Sequence, residues 1–410
     1  MTQRVRLSVE EYLAELLALV TPMAEVDVVP VALAVGRTLA LPVIAGADVP
    51  VMANSAMDGF AVRAVDLELG TTLQVVADIP AGSPLDPPMV EGQCCRIMTG
   101  APVPSDADTI VPVELVDQSA DRSRITLRAV PGTGAHIRGA GEDFTAGVEV
   151  LPPGSVLGAR ELGLVSGAGV AEVSVVRRPR VAVVATGDEL RPPGAVLERG
   201  QIFESNGLFL ATALAAAGAE VVARLTLPDD NDEFAAGLES AASEADLVVL
   251  SGGVSVGDFD VVRIVLQARA TSAFRHVLMQ PGKPQGWALW QAADGRTVPL
   301  VALPGNPLST MVSFEMFVMA LLDRMCGRAT PGWQMAVAGC DWVPPVGRRQ
   351  FVPVVVEVDA AGRQRVTPVH RRGSASHMVS AAALADGLAM VEAGVERVNA
   401  GDTVSFRRYR

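Results

Sequence analysis

Within Ser251-Gly-Gly-Val-Ser-Val-Gly-Asp-Phe-Asp260, small hydroxyls, glycines and carboxylates crowd together ahead of an apolar helical pattern. Ser251–Gly257 is a flexible run whose amides, at Ser251, Gly252, Gly253 and Ser255, can face an anion, with a helix N-terminus behind them. Asp258 or Asp260 can cap that helix, which gives one of them a purely structural account. Two carboxylates beside a phosphate cradle repel it unless a divalent ion lies between. The run therefore reads as an Mg²⁺-assisted phosphate site.

Three further loops have related chemistry. In Leu303-Pro-Gly-Asn-Pro307, Asn306 suits a helix N-cap and Pro307 the first helical position. That explains the segment structurally, yet Pro304 and Gly305 also open the helix end to direct contact with an anion. Thr186-Gly-Asp-Glu189 sets Glu189 just past a tight turn, where it is either a metal ligand or a solvated carboxylate. Gln280-Pro-Gly-Lys283 carries the single lysine among 33 basic residues. A compact, rotatable ammonium differs from the planar arginine fork used everywhere else. The competing account is that a compositional preference for Arg left one lysine here by chance.

Each of these loops follows a strand-like segment. Over residues 179–327 the pattern predicts strands at 180–185, 219–227, 247–250, 275–280 and 298–303. Helices are predicted at 206–217, 232–244, 260–269 and 307–326. Alternating strands and helices imply a three-layer α/β domain with a mostly parallel sheet covered on both faces. The ends that follow parallel strands share one edge, where such folds bind ligands. The four loops are therefore expected to converge. Asp229 or Asp230, after the strand 219–227, can add a carboxylate to that edge.

The flanking regions differ in character. Residues 8–20 read as an amphipathic helix capped by Ser8. Residues 46–145 alternate short β-rich runs with Gly/Pro/Asp turns and read as a small inserted β domain. Residues 1–45 together with 146–178 would form a mixed α/β domain, with the opening helix packed on the later segment. Residues 328–410 return to short strands and read as a C-terminal β-barrel-like domain.

Two loops outside 179–327 also carry carboxylates. Asn54-Ser-Ala-Met-Asp-Gly-Phe60 contains the common turn pair Asp58-Gly59, and a turn alone would explain it. Arg138-Gly-Ala-Gly-Glu-Asp143 sets Asp143 beside flexible glycines, which a solvated turn also explains.

Composition narrows the class. The chain has 410 residues, half of them apolar and 19% charged, which suits several globular domains. A net charge of −13 argues against nucleic acid or an anionic membrane as a partner. Cys94, Cys95, Cys326 and Cys340 lack zinc-type spacing and read as reduced thiols of a cytoplasmic protein. The most apolar helical stretch, 308–322, is interrupted by Glu315, and neither signal peptide nor membrane span is expected. There is no Walker-type phosphate loop, dinucleotide fingerprint, His-Glu-x-x-His or serine elbow. His136, His276, His370 and His377 are scattered.

Taken in order, Asn54–Phe60, Met98-Thr-Gly-Ala-Pro102, Gly141-Glu-Asp143, Thr186-Gly-Asp-Glu-Leu190, Ser251–Gly257, Pro281-Gly-Lys-Pro284 and Leu303–Pro307 resemble the molybdopterin molybdenumtransferases. That family includes bacterial MoeA and the E domain of gephyrin, and the resemblance spans essentially the whole chain. It implies an elongated homodimer of four-domain subunits, the third domain similar to molybdopterin adenylyltransferases. The implied reaction is Mg²⁺-dependent: adenylylated molybdopterin and molybdate give molybdenum cofactor and AMP. A molybdopterin adenylyltransferase is the implied transient partner. In the family, the active cleft combines the α/β domain of one subunit with the inserted β domain of the other.

Carried over by position, Asp58, Asp143, Asp260 and Lys283 resemble catalytic residues. Glu189, Asp260 and Asp229 or Asp230 resemble metal-binding ones, and Thr99, Arg348 and Ser376 lie in matching substrate-binding motifs. His276 and Gln280 depart from the family, which often has lysines at those positions. Lys283 is then the ammonium expected to face the substrate anions, and His276 a source of pH dependence. Two alternatives stand beside this reading: an ATP-using molybdopterin adenylyltransferase, and a non-catalytic scaffold that retains the fold.

Overall fold

The computed structural model describes residues 6–254, 260–370 and 374–409. Ser255 and Asp258 lie outside the described residues. The chain divides into two contact units, Met1–Asp27 with Val176–Arg410, and Val28–Val175.

The first unit is built on a seven-stranded sheet. Its order is Arg6–Leu7, Thr271–Val277, Pro284–Gln291, Thr297–Leu303, Leu247–Ser251, Arg180–Thr186 and Glu220–Leu227. Leu247–Ser251 is buried along its whole length and lies parallel to the strand on either side. Valine and leucine dominate these central strands because helices cover both faces and leave no wet side for a polar alternation. Asn206–Ala216 and the helix from Pro307 cover one face, and Asn231–Glu244 with Val261–Arg269 the other.

The sheet is mostly parallel, with one inner strand that the sequence pattern missed. Pro284–Gln291 runs antiparallel to both Thr271–Val277 and Thr297–Leu303. Its Pro and Gly start mimics a loop. Gly286 is required there, since a Cβ would come within 2.9 Å of the Phe274 ring. The segment expected as one strand over 275–280 is divided. Thr271–Val277 stays in this sheet, while Met279–Gln280 pairs in parallel with Arg349–Val358 of the C-terminal domain. That domain is a barrel: Arg349–Val358, Gln364–Pro368, Gln334–Ala338, Thr403–Arg408 and Gly387–Val391 pair in turn, and the last pairs back to the first.

The opening helix is Val9–Leu17, shorter than the 8–20 expected, with the full capping box of Ser8 and Glu11. It belongs to the first contact unit. Arg6–Leu7 joins the edge of the large sheet, which carries Tyr12 and Leu16 into the same core as Val181 and Phe317. The Tyr12 hydroxyl donates to the Gly286 carbonyl at 3.0 Å.

In the second unit, a six-stranded sheet runs Thr109–Pro112, Gly59–Val62, Gln93–Ile97, Thr72–Ile79, Arg124–Leu127 and Val116–Gln118. A separate apolar cluster joins Val31, Leu39 and Val43 to Leu157, Val165 and Val175. Cys94 and Cys95 are buried free thiols, and burial pushes them up to about 12 and about 11. Among the described residues, no helix is long and apolar enough to cross a membrane.

Candidate functional site

Three of the four loops of the large sheet meet. Arg180–Thr186, Leu247–Ser251 and Thr297–Leu303 are adjacent and parallel, so the loops after them open into one cleft of about 500 Å³. Its walls include Thr186, Gly187, Glu189, Ser251–Val254, Asp260 and Pro304–Pro307. The glycines answer a steric need. Gly252 and Gly253 have φ of +96° and +70°, and a Cβ on Gly253 would lie 2.0 Å from Val262 Cγ2. A Cβ on Gly305 would touch the Gly252 Cα at 3.4 Å, so the two loops pack backbone against backbone.

The carboxylates sort themselves by local geometry. Asp229 lines the cleft, accepting from Thr186 Oγ1 at 2.8 Å and from the Asp188 amide at 3.4 Å. Asp230 does not line it. Its side chain caps Asn231–Glu244, accepting from the amides of Asp232 and Glu233 at 3.0 and 2.9 Å. The sequence alternatives Asp229 and Asp230 thus separate into a cleft residue and a helix cap. Asp260 serves both purposes: it lines the cleft and is the N-cap of Val261–Arg269, accepting from the Arg263 amide at 3.5 Å. Glu189 folds back over Gly187, where a Cβ would lie 2.5 Å from its Oε2.

Among the described residues, no three Asp, Glu, His or Cys side chains gather closely enough to hold a metal ion by themselves. Glu189, Asp229 and Asp260 offer hard oxygen donors on one cleft. This donor set suits Mg²⁺, which takes one or two carboxylates and completes its octahedron with water and phosphate oxygens.

Lys283 belongs to an adjoining pocket of about 410 Å³. That pocket shares Pro284, Pro304 and Asn306 with the cleft, and adds Gln280, Arg348, Ser374, Ser376 and His377. The pairing of Met279–Gln280 with the barrel turns the Lys283 loop toward Arg348 and Ser376, two residues far away in sequence. Buried Gln285 holds the loop, donating to the Gly282 carbonyl at 2.7 Å and Ser313 Oγ at 2.6 Å. No ion pair or side-chain hydrogen bond engages Lys283 or Arg348 among the described residues, which leaves two cations facing one pocket. His276 lines neither space. It is registered within the sheet, opposite Pro284 and Arg6.

The helix end at Pro307 is more occupied than its sequence suggests. Asn306 takes the N-cap position with its backbone only, and its side chain donates to Ser376 Oγ at 3.2 Å. Proline has no amide hydrogen, and the Leu308 amide donates to the Ser376 carbonyl at 3.1 Å. Of the first-turn donors, the Leu308 amide is thus taken by the Ser376 carbonyl, while Pro304, Gly305, Asn306 and Pro307 still line the cleft.

Glu204 and Asn206 escaped the sequence reading, yet both line the cleft. Glu204 Oε1 accepts from the Gly207 amide at 2.6 Å and holds the start of Asn206–Ala216. The signal was a polar Glu-Ser-Asn-Gly step before an apolar helix, which reads equally as an ordinary cap.

In the second unit, Asp58, Thr99 and Asp143 lie on loops that hydrogen bonds draw together. Asn54–Ser55 pairs with Ile137–Arg138, and the Gly100 amide donates to the Ser55 carbonyl at 2.8 Å. Asp58 Oδ1 accepts from the Thr99 amide at 2.7 Å and its hydroxyl at 2.8 Å; the backbone bond first, then the hydroxyl, hold the carboxyl below its ordinary value. The Asp143 amide donates to the Val49 carbonyl. Asp58-Gly59 is not a hairpin turn. Gly59 begins a central strand, where a Cβ would lie 2.2 Å from the Val111 carbonyl oxygen.

An α/β sheet with its loop edge set against a barrel, and cations beside a glycine–carboxylate cleft, defines the structural class of this protein. Comparison with known proteins narrows that class. Residues 7–169 match the family model of the MoeA N-terminal region (domain I and II), 182–324 the probable molybdopterin binding domain, and 335–408 the MoeA C-terminal region (domain IV). A Mycobacterium tuberculosis protein named molybdopterin molybdenumtransferase 2 is 41% identical over 388 residues, covering 91% of this chain and 92% of its own length. The Haemophilus influenzae molybdopterin molybdenumtransferase is 34% identical, with 92% of each chain covered. A solved MoeA structure from Pyrococcus horikoshii superposes with a TM-score of 0.80 at 29% identity, covering 99% of this chain and 100% of its own. The chain belongs to the molybdopterin molybdenumtransferase family.

Proposed function

We propose that this protein is an Mg²⁺-dependent molybdopterin molybdenumtransferase, which converts adenylylated molybdopterin and molybdate into molybdenum cofactor and AMP. The observation that carries the reading is the pair of adjoining pockets joined through Pro284, Pro304 and Asn306, one rich in glycine amides and carboxylates, the other cationic.

In this reading the phosphates of the substrate lie against Ser251, Gly252 and Gly253, with Glu189, Asp229 and Asp260 across from them. Bound there, Mg²⁺ would offset phosphate charge and polarise the phosphoryl group as AMP departs. Lys283 and Arg348, with the Ser376 hydroxyl, hold the molybdate oxyanion as a substrate beside the cleft. Gln280 is neutral, so Lys283 supplies the ammonium on that loop. Asp58, Thr99 and Asp143 are assigned to the reaction by their place in the family's motifs.

The assembly proposed is a homodimer with the active site shared between subunits, served by a molybdopterin adenylyltransferase as a transient partner. Four free cysteines suit a cytoplasmic protein.

The test is direct. Purified protein given adenylylated molybdopterin, molybdate and Mg²⁺ should release AMP, and chelation of Mg²⁺ should stop the release. No AMP release, or adenylylated product formed from ATP and molybdopterin, would overturn the assignment.

A further inference from the structure

One side chain ties the cleft together without belonging to either of its loops. Asn206 opens the helix Asn206–Ala216. Its Nδ2 donates to the Gly305 carbonyl at 2.7 Å and to Ser251 Oγ at 2.9 Å. Three segments meet on this one amide, and Asn206, Ser251 and Gly305 all line the cleft.

The orientation of the carboxamide follows from its partners. The Gly305 carbonyl can only accept, so the NH₂ group must face it, and a flipped amide would set two acceptors against each other at 2.7 Å. With that orientation set, Ser251 Oγ must accept from the same NH₂. A serine hydroxyl has one hydrogen, and no described residue takes the one on Ser251. Asn206 thereby fixes the sense of the Ser251 hydroxyl, acceptor toward the protein and donor toward the cleft. Asn206 Oδ1 is buried without a hydrogen-bond partner among the described residues. The amide is thus kept in place by its two donor bonds rather than by satisfying all its groups.

We propose that Asn206 is a positioning residue of the phosphate site, which turns the Ser251 hydroxyl into a donor for a substrate phosphate oxygen. This rests on the reading of the cleft as a phosphate site. The residue acts through Ser251, whose hydroxyl it orients.

The test is a double-mutant cycle read by binding. AMP is titrated calorimetrically, with Mg²⁺ present, into the intact protein and its Asn206→Ala, Ser251→Ala and doubly substituted forms. A hydrogen bond to a charged group supports an expected loss of about tenfold in affinity for each single variant. If Asn206 works through Ser251, the double variant should bind no more than slightly worse than either single one. Additive losses, about a hundredfold together, would overturn the proposal and leave Asn206 a structural tie. Unchanged affinity in Asn206→Ala, with wild-type thermal stability, would overturn it as well. Failure of the unsubstituted protein to bind AMP would instead overturn the phosphate-site reading beneath it, and the proposal with it.

Discussion

Gly253→Ala is the substitution for which the structure makes the sharpest demand. Gly253 has φ +70°, a left-handed conformation that costs a residue with a Cβ about 1–2 kcal/mol. The added methyl would also lie 2.0 Å from Val262 Cγ2, 2.5 Å from Val262 Cβ and 2.9 Å from Asp260 Oδ1. Val262 is fully buried in the core beneath Val261–Arg269, so it cannot swing away. Overpacking of this kind costs about 1–3 kcal/mol, for a total of about 2–5 kcal/mol. In a unit of this size, that lowers Tm by roughly 5–15 °C.

Relief by moving the loop instead would carry Ser251 and Asp260 out of register and remove AMP binding. Trimming the neighbour does not help, because Val262→Ala leaves the Cβ at 2.5 Å in place. Thermal unfolding and AMP titration of the single and double variants measure both outcomes. A Gly253→Ala protein with wild-type Tm and wild-type AMP affinity would refute the packing argument.

Other expectations follow from the same geometry. Lys283→Ala should lower kcat/KM for molybdate by about thirtyfold with Tm unchanged, since the side chain is exposed and has no described partner. Lys283→Arg should also impair turnover, and a fully active Arg variant would mean the lone lysine carries no special role. Asp230→Ala should cost about 1 kcal/mol of stability through the lost cap and leave turnover intact. Asp229→Ala should lower turnover at least tenfold, and the reverse pattern in AMP-release assays would exchange their roles. Asp58 should titrate below the ordinary aspartate value, because the Thr99 amide and hydroxyl donate to its charged form. Its folded value being the lower one, the stabilisation is present above the unfolded value, near pH 4, and is lost as pH falls through the folded value. Carboxyl NMR shows this directly, and Thr99→Ala should move the titration back up.

Much of this protein was written locally. Runs of valine and leucine too apolar for an exposed face marked the central strands. Ser8 marked a helix start, and glycines after strands marked the loop edge of the sheet. These signals act over a few residues, through backbone sterics and caps, so they read without the rest of the chain. The ordered motifs were also enough to point to the family. By contrast, Pro284–Gln291 hid behind its own Pro and Gly, because its strand character comes from neighbours on both sides.

The chemistry of the cleft was decided by closure over long distances. Asp229 and Asp230 are adjacent and chemically identical, and only the orientation of Asn231–Glu244 makes one a cap and the other a cleft residue. Asn306 reads as a helix cap, until the barrel offers Ser376 and takes its side chain. Asn206 has no local sign of importance. Its role exists only because Ser251 and Gly305, 45 and 99 residues onward, arrive within hydrogen-bond reach of one amide. Lys283 is conspicuous as a lone lysine, but a short strand lent to the barrel decides that it faces Arg348. Residue types and spacing determined which groups were available and which elements would carry them. Tertiary packing decided which polar groups were already satisfied by the protein, and so which remained for a ligand.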